Sequence, residues 1–262
     1  MPEQVHAMIF SYFDDSADTR RQRFFAAGGL IGEVEQWSQF DFRWVLSTRD
    51  LEEPFRSTDC ECGHGQFGDW EKTERNALMA ELVGLIREFK LLAFASIVPI
   101  SDYREVFPGC DPFDPYRLAV AHTIINMAAI GERVKHGMKL WFENSQQSSS
   151  TLTIFNDLRA VKTWSSAAHL QDVSFGSKRL APLQAADLVA REAFKHIDNL
   201  GVRPTRKPTE RMKERLTFIL WTREVLEYLR DNGGPTNFDL LTSWGSPRWP
   251  SVPQMQVFYR NF

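Results

Sequence analysis

The chain has 262 residues, is 43% hydrophobic and 13% aromatic, and carries a formal net charge of −3. That composition supports a sizeable core and excludes a disordered chain. The slightly acidic balance excludes a surface coated in positive charge for nonspecific nucleic-acid binding, while leaving room for a local basic groove. No apolar run approaches the roughly 20 residues of a membrane helix, and "MPEQVHAM" lacks the basic start and apolar stretch of a secretory leader. Cys60, Cys62 and Cys110 are too few and too unevenly spaced for a disulfide framework. The chain reads as cytoplasmic, with no membrane partner.

In chain order, the first expected element is a strand over roughly 7–14, ending in Asp14 and Asp15. "FFAAGGLIG" (24–32) is its expected hairpin partner. Trp37, Phe40, Trp44 and Val45 recur at helical spacing and predict a helix over 34–50. "EEPFRSTDCECGHGQFGDW" (52–70) reads as a long loop, of a length usually tied to function or disorder. A helix follows at about 70–89, then "LLAFASIVPI" (91–100), an unbroken apolar run suited to a central strand covered on both faces. Pro112 and Pro115 flank the start of a helix over 114–135. Beyond it come a strand at 138–144, a helix near 151–163, a strand at 169–176 and a helix at 181–197 with Pro182 in its first turn. A linker (203–209), a helix over 209–231 and a Gly/Pro-rich tail (233–253) complete the reading. Alternating strands and helices predict an α/β fold with a mixed sheet flanked by helices. Residues 34–90 form an insertion, residues 1–200 the main domain, and 201–262 a C-terminal helical extension and tail.

Three acids stand against strongly apolar backgrounds: Asp14 at the first strand's end, Glu143 at the end of 138–144, and Asp187 within the helix 181–197. Leu183, Asp187, Ala190 and Phe194 share one helix face, and an ionised, unpaired carboxylate there is costly to bury. It needs an arginine, a hydrogen-bond network or a metal; Gln184 and Arg191 flank it. Asp14 and Asp15 point to opposite faces of their strand, so only one joins a cluster, whereas Glu143 shares a face with Trp141. Carboxylates converging from separate elements suit hard divalent cations and two-metal phosphodiester hydrolysis, with no His or Cys required. Taken singly, acids at strand ends are also ordinary turn formers and helix caps.

The segment "YFDDSAD" (12–18) resembles the opening motif of the domain-of-unknown-function family numbered 3800, and "SFGSKRLAPLQAADLVA" (174–190) resembles its closing motif. "FRSTDCECGHGQFGDW" is similar to its middle region, and the resemblance spans about residues 8–197. It implies a ribonuclease H-like fold and metal-dependent nuclease chemistry. Asp14, Asp15 and Ser16 match the opening motif, Gln184 and Asp187 the closing one, and Lys178 a lysine of the family. Glu143 matches the acid expected at the fourth strand. Ala17 stands in place of the usual Gly and Arg56 in place of the usual His.

The resemblance thus implies Mg²⁺ or Mn²⁺ on Asp14, Glu143 and Asp187, with Lys178 as an electrostatic helper. Asp15, Ser16, Asp59 and Gln184 are auxiliary candidates, and Lys178 with Arg179 is the candidate nucleic-acid contact. The alternative is a non-catalytic binding protein on the same fold, in a defence or mobile-element system. A third reading places zinc on Cys60, Cys62 and His64, with Cys110 or His122 as a fourth ligand, although the Cys spacing of one intervening residue is short for that site. "RPTRKPTERMKER" (203–215) is either a phosphate-contacting patch or a solvated linker and helix start.

Overall fold

The computed structural model describes residues 8–18, 20–243 and 255–258. The expected start of the first strand at residue 7 and the stretch 244–253 of the tail lie outside the described residues. Among the described residues the fold is α/β: a mixed sheet of seven strands in the order β5-β4-β1-β2-β3-β6-β7, flanked by helices. The strands are β1 (Met8–Ala17), β2 (Phe24–Glu33), β3 (Leu92–Pro99), β4 (Gly137–Glu143), β5 (Leu170–Gly176), β6 (Leu216–Leu220) and β7 (Gln256–Phe258). β1–β2–β3 is an antiparallel meander; β4 adds parallel to β1, β5 parallel to β4, and β6 parallel to β3. This arrangement is compatible with a ribonuclease H-like fold.

One face of the sheet carries α4 (Ile100–Val106), α5 (Asp114–Val134), α6 (Ser148–Ala160), α9 (Arg223–Asp231) and α10 (Phe238–Ser243). Phe13, Phe25, Ile124, Leu140 and Trp221 build the core there. The other face carries α7 (Ala181–Asn199), α8 (Lys207–Met212) and the insertion between β2 and β3, which holds α1 (Val34–Thr48), α2 (Ser57–Cys62) and α3 (Lys72–Glu88). α7 is wedged between sheet and insertion, so its apolar residues are buried nearly all round. It lies close on the strands because β2 offers glycine: a Cβ on Gly28 would stand 2.8 Å from the Ala190 Cα. Gly28 pairs with Asp14 across β1–β2, and Asp187 precedes Ala190 by about one helical turn. This close approach brings Asp187 down onto Asp14.

Four sequence expectations change. β1 continues to Ala17, so Asp14 and Asp15 sit inside the strand, opposite Gly28 and Ala27. The expected loop 52–70 contains α2 and a 3₁₀ turn at Gly65–Phe67, because Phe55, Cys60 and Phe67 are buried and anchor it. Gly63 ends α2 with φ 70°, a left-handed stop signal that glycine accepts readily. α4 follows β3 without a predicted counterpart. The expected helix over 209–231 is instead α8, a 3₁₀ turn, β6 and α9. "LTFIL" is taken up as a strand because β3 presents an open parallel edge that buries it.

Candidate functional site

β1 and β4 lie side by side and parallel, with Tyr12 level with Trp141 and Phe13 level with Phe142. Tyr12 and Trp141 stack at 6.1 Å on the α7 side. Two residues on from Tyr12 and Trp141, by strand alternation, Asp14 and Glu143 face the same way, just past the last β1–β4 pair and at the C-terminal end of β4, the side where α/β sheets place their ligand sites. α7 supplies Asp187 from above. The segment between β5 and α7 supplies Lys178.

These four side chains meet at one point. Lys178 Nζ lies 2.7 Å from Asp187 Oδ1, 2.8 Å from Asp14 Oδ2 and 3.7 Å from Glu143 Oε2. The lysine side chain is 9% exposed and that of Asp14 2%. With all three oxygens this near one nitrogen, the carboxylates fall within the roughly 8 Å that sharing one or two ions allows. Asp187 Oδ2 accepts two further bonds of 2.6 Å, from the backbone N–H and the hydroxyl of Ser57. Asp187 therefore closes the N-terminus of α2 with one oxygen and faces the cluster with the other. Asp14 Oδ1 accepts the Asp15 N–H at 2.7 Å, while the buried Asp14 Oδ2 has the Lys178 ammonium, 2.8 Å away, as its partner.

The electrostatics separate the two aspartates. Burial drives the Asp14 carboxyl well above the usual range, against the pull of Lys178 and with the charges of Asp187 and Glu143 adding to the rise. Burial also opposes ionisation of Asp187, but Lys178 and the Ser57 bonds hold it below the usual range. Burial works against the Lys178 ammonium, yet Asp14, Asp187 and Glu143 hold its pKa above that of an ordinary lysine. Asp187 is thus the ionised partner of Lys178, and Asp14 the group that most readily takes a proton.

The cluster opens through Glu143 and Lys178 into a cleft of about 450 Å³. Arg56, Asp59, Gln66, Asn144 and Arg179 line it, so the α2 region of the insertion forms one wall. Asp59 belongs to that wall and does not join the acid cluster. Asp15 turns to the α5 side, where burial raises its carboxyl to about 6 against the opposing charge of Arg21. Ser16 is half-buried two residues beyond Asp14, with no hydrogen bond to the cluster among the described residues. Gln184 is a scaffold: its Nε2 donates to the Lys178 carbonyl at 2.8 Å, and its Oε1 accepts from the Trp44 indole at 2.9 Å and the Phe55 N–H at 3.2 Å.

Arg191 leaves Asp187 to others and pairs with Glu61 at 2.9 Å. Arg206 bridges Glu61 and Glu192, and Lys213 pairs with Glu210, so the 203–215 stretch spends part of its charge internally. The zinc reading is corrected. Cys60 is buried with its thiol on the Arg75 carbonyl, Cys62 is exposed, and His122 lies on the far face of the sheet against Ser96. Sequence reasoning missed Ser57 and passed over Arg56. The "STD" that opens α2 is a helix-start signal and the available clue to Ser57.

Among the described residues, no group of three or more His, Cys, Asp or Glu side chains is arranged as a ready metal shell. At the acid cluster an ammonium stands where the carboxylates converge. By donor type and by convergence on one cation, the residues fit a hard divalent cation. No helix among the described residues is long and apolar enough to cross a membrane. No protein-family model, no curated protein and no solved structure matches this chain.

Proposed function

We propose that this chain is a divalent-cation-dependent nuclease of the domain-of-unknown-function family numbered 3800, cleaving phosphodiester bonds of nucleic acid in the cytoplasm. The observation that supports it most is the convergence of Asp14, Glu143 and Asp187, from two strands and a helix, on one buried ammonium beneath a cleft that holds Arg56 and Arg179 beside Glu53 and Asp59. Those three residues would hold Mg²⁺ or Mn²⁺. Such an ion, when bound, makes water a better nucleophile and neutralises charge at the scissile phosphate.

The remaining work belongs to the chain itself. Arg56 and Arg179 meet the substrate's phosphates from the cleft walls, as charged forks suited to phosphate oxygens. Ser57 fixes the rotamer of Asp187 so that Oδ1 faces the cluster. Gln184 holds the backbone of Lys178 in place. The direct test incubates purified protein with Mn²⁺ or Mg²⁺ and single- and double-stranded DNA and RNA, beside Asp187→Asn. Metal-dependent cleavage lost in the variant is the expected result; equal cleavage by the variant overturns the assignment.

One observation favours the second reading, a non-catalytic binding protein of a defence or mobile-element system: Lys178 already neutralises part of the acid cluster without a metal. Nucleic-acid binding with no cleavage under any divalent ion would select it.

A further inference from the structure

Lys178 takes up the same carboxylate oxygens that the proposed function assigns to a divalent ion. Its Nζ contacts Asp187 Oδ1 and Asp14 Oδ2 at 2.7 and 2.8 Å and stands 3.7 Å from Glu143 Oε2. Among the described residues, the ammonium is the one partner of the buried Asp14 Oδ2. One ammonium stands among three carboxyl groups, and any two of them that are ionised would repel each other without a cation at the centre. Mg²⁺ would draw oxygens to about 2.0–2.1 Å, nearer than an ammonium does. An ammonium and a divalent ion cannot share that point, because their repulsion at a few ångströms in a buried place is large.

The lysine also has somewhere to go. Lys178 lines the cleft beside Ser177 and Arg179. Its carbonyl is tied to Gln184, which fixes the backbone at the base of a four-carbon stem with several rotatable bonds.

We propose that Lys178 is a tethered counter-ion: it holds the three carboxylates together in the metal-free protein and competes with the divalent cation for them. When the ion binds, the ammonium leaves for the cleft, where a substrate phosphate is its next partner. This rests on the metal reading given under Proposed function.

The experiment is a calorimetric titration of Mn²⁺ into metal-free wild type and Lys178→Met, with Asp187→Asn as the control for the site and circular dichroism as the check on folding. Lys178→Met is expected to bind Mn²⁺ about tenfold tighter or more, and Mn²⁺ is expected to raise its Tm more than that of wild type. If Lys178→Met needs Mn²⁺ to fold while wild type does not, that result supports the proposal equally. Lys178→Gln, which removes the charge and keeps a donor, serves as the second variant. Equal or weaker binding in both variants, with an Asp187-dependent site in wild type, overturns the counter-ion role and leaves the metal reading standing. No Mn²⁺ binding in any of these proteins removes the metal reading and the proposal with it.

Discussion

Two buried charge networks meet on α7, and they are built differently. Around Lys178 stand three carboxylates, Asp14, Glu143 and Asp187, with one ammonium among them. One turn further along, Glu61 and Glu192 face Arg191 and Arg206: two acids and two guanidiniums, with Glu192 also accepting from Thr209 at 2.9 Å. The second network is balanced and hydrogen-bonded, which is how a buried set of charges reaches a stable arrangement. It fastens the insertion and α8 to α7. The first is left with excess negative charge and opens into a cleft. Under the proposed function, that imbalance is what would let this network take up an added cation. The two also share one task, since Ser57 and Glu61 both belong to α2, so the insertion is held to α7 by one residue from each network.

The comparison breaks if both networks respond alike to mutation. Under the proposed function, the largest expected effect is Asp187→Asn: metal-dependent cleavage falls by about 100-fold while the fold survives, because an amide oxygen can still accept from Ser57. Metal-dependent cleavage assays alongside thermal melts read both. Next is Arg206→Met, which strands Glu192 at 1% exposure. It costs about 3 kcal/mol and lowers Tm by roughly 6–12 °C, with cleavage unchanged at a temperature where the variant is folded. If Arg206→Met abolished activity without a fall in Tm, the balanced network would be part of the site.

A control comes from His122, a buried titratable group in neither network. Burial lowers its pKa to about 3, and its Nδ1 lies 2.9 Å from the Ser96 hydroxyl, which also accepts from the Trp221 indole. Burial thus keeps the imidazole neutral in this contact. A depressed histidine pKa means that the unfolded chain binds the extra proton first, so stability is lost as pH falls from about 6.5 towards 3. At pH 5 the loss due to His122 is about 2 kcal/mol. His122→Gln should flatten that part of the stability–pH curve in urea melts, and an unchanged slope would assign the acid sensitivity elsewhere. The smallest effect is expected from Arg179→Ala: a few-fold weaker nucleic-acid binding and a salt dependence shallower by about one unit of slope, read by fluorescence anisotropy at several salt concentrations.

Much of the framework is legible in the sequence because periodicity reports burial. The apolar run 91–100, the strand at 138–144 and the helix at 181–197 follow from hydrophobic pattern and come out within a few residues as β3, β4 and α7. The stretch 209–231 misleads because "LTFIL" has no alternation of its own, and only the open edge of β3 makes it a strand. The loop 52–70 misleads because Gly, Asp and Cys hide two buried aromatics that anchor a short helix. In the site, Asp14, Glu143 and Asp187 stand out as acids in apolar surroundings, and Lys178 through the family resemblance. The role of Gln184 as a scaffold and of Ser57 as a clamp does not, because both depend on partners some 130 residues away.

By itself, the sequence determined which strands and helices could form and which charged residues would be costly to bury. It also determined that Asp14 and Asp15 point to opposite faces, since strand geometry leaves adjacent side chains no other choice. Only the tertiary structure decided that Asp14, Glu143 and Asp187 meet, that Arg191 turns away to Glu61, and that a lysine holds the centre. Those outcomes depend on how closely α7 lies on Gly28 and where the insertion docks. Both are set by packing between segments far apart in the chain, which no local pattern encodes.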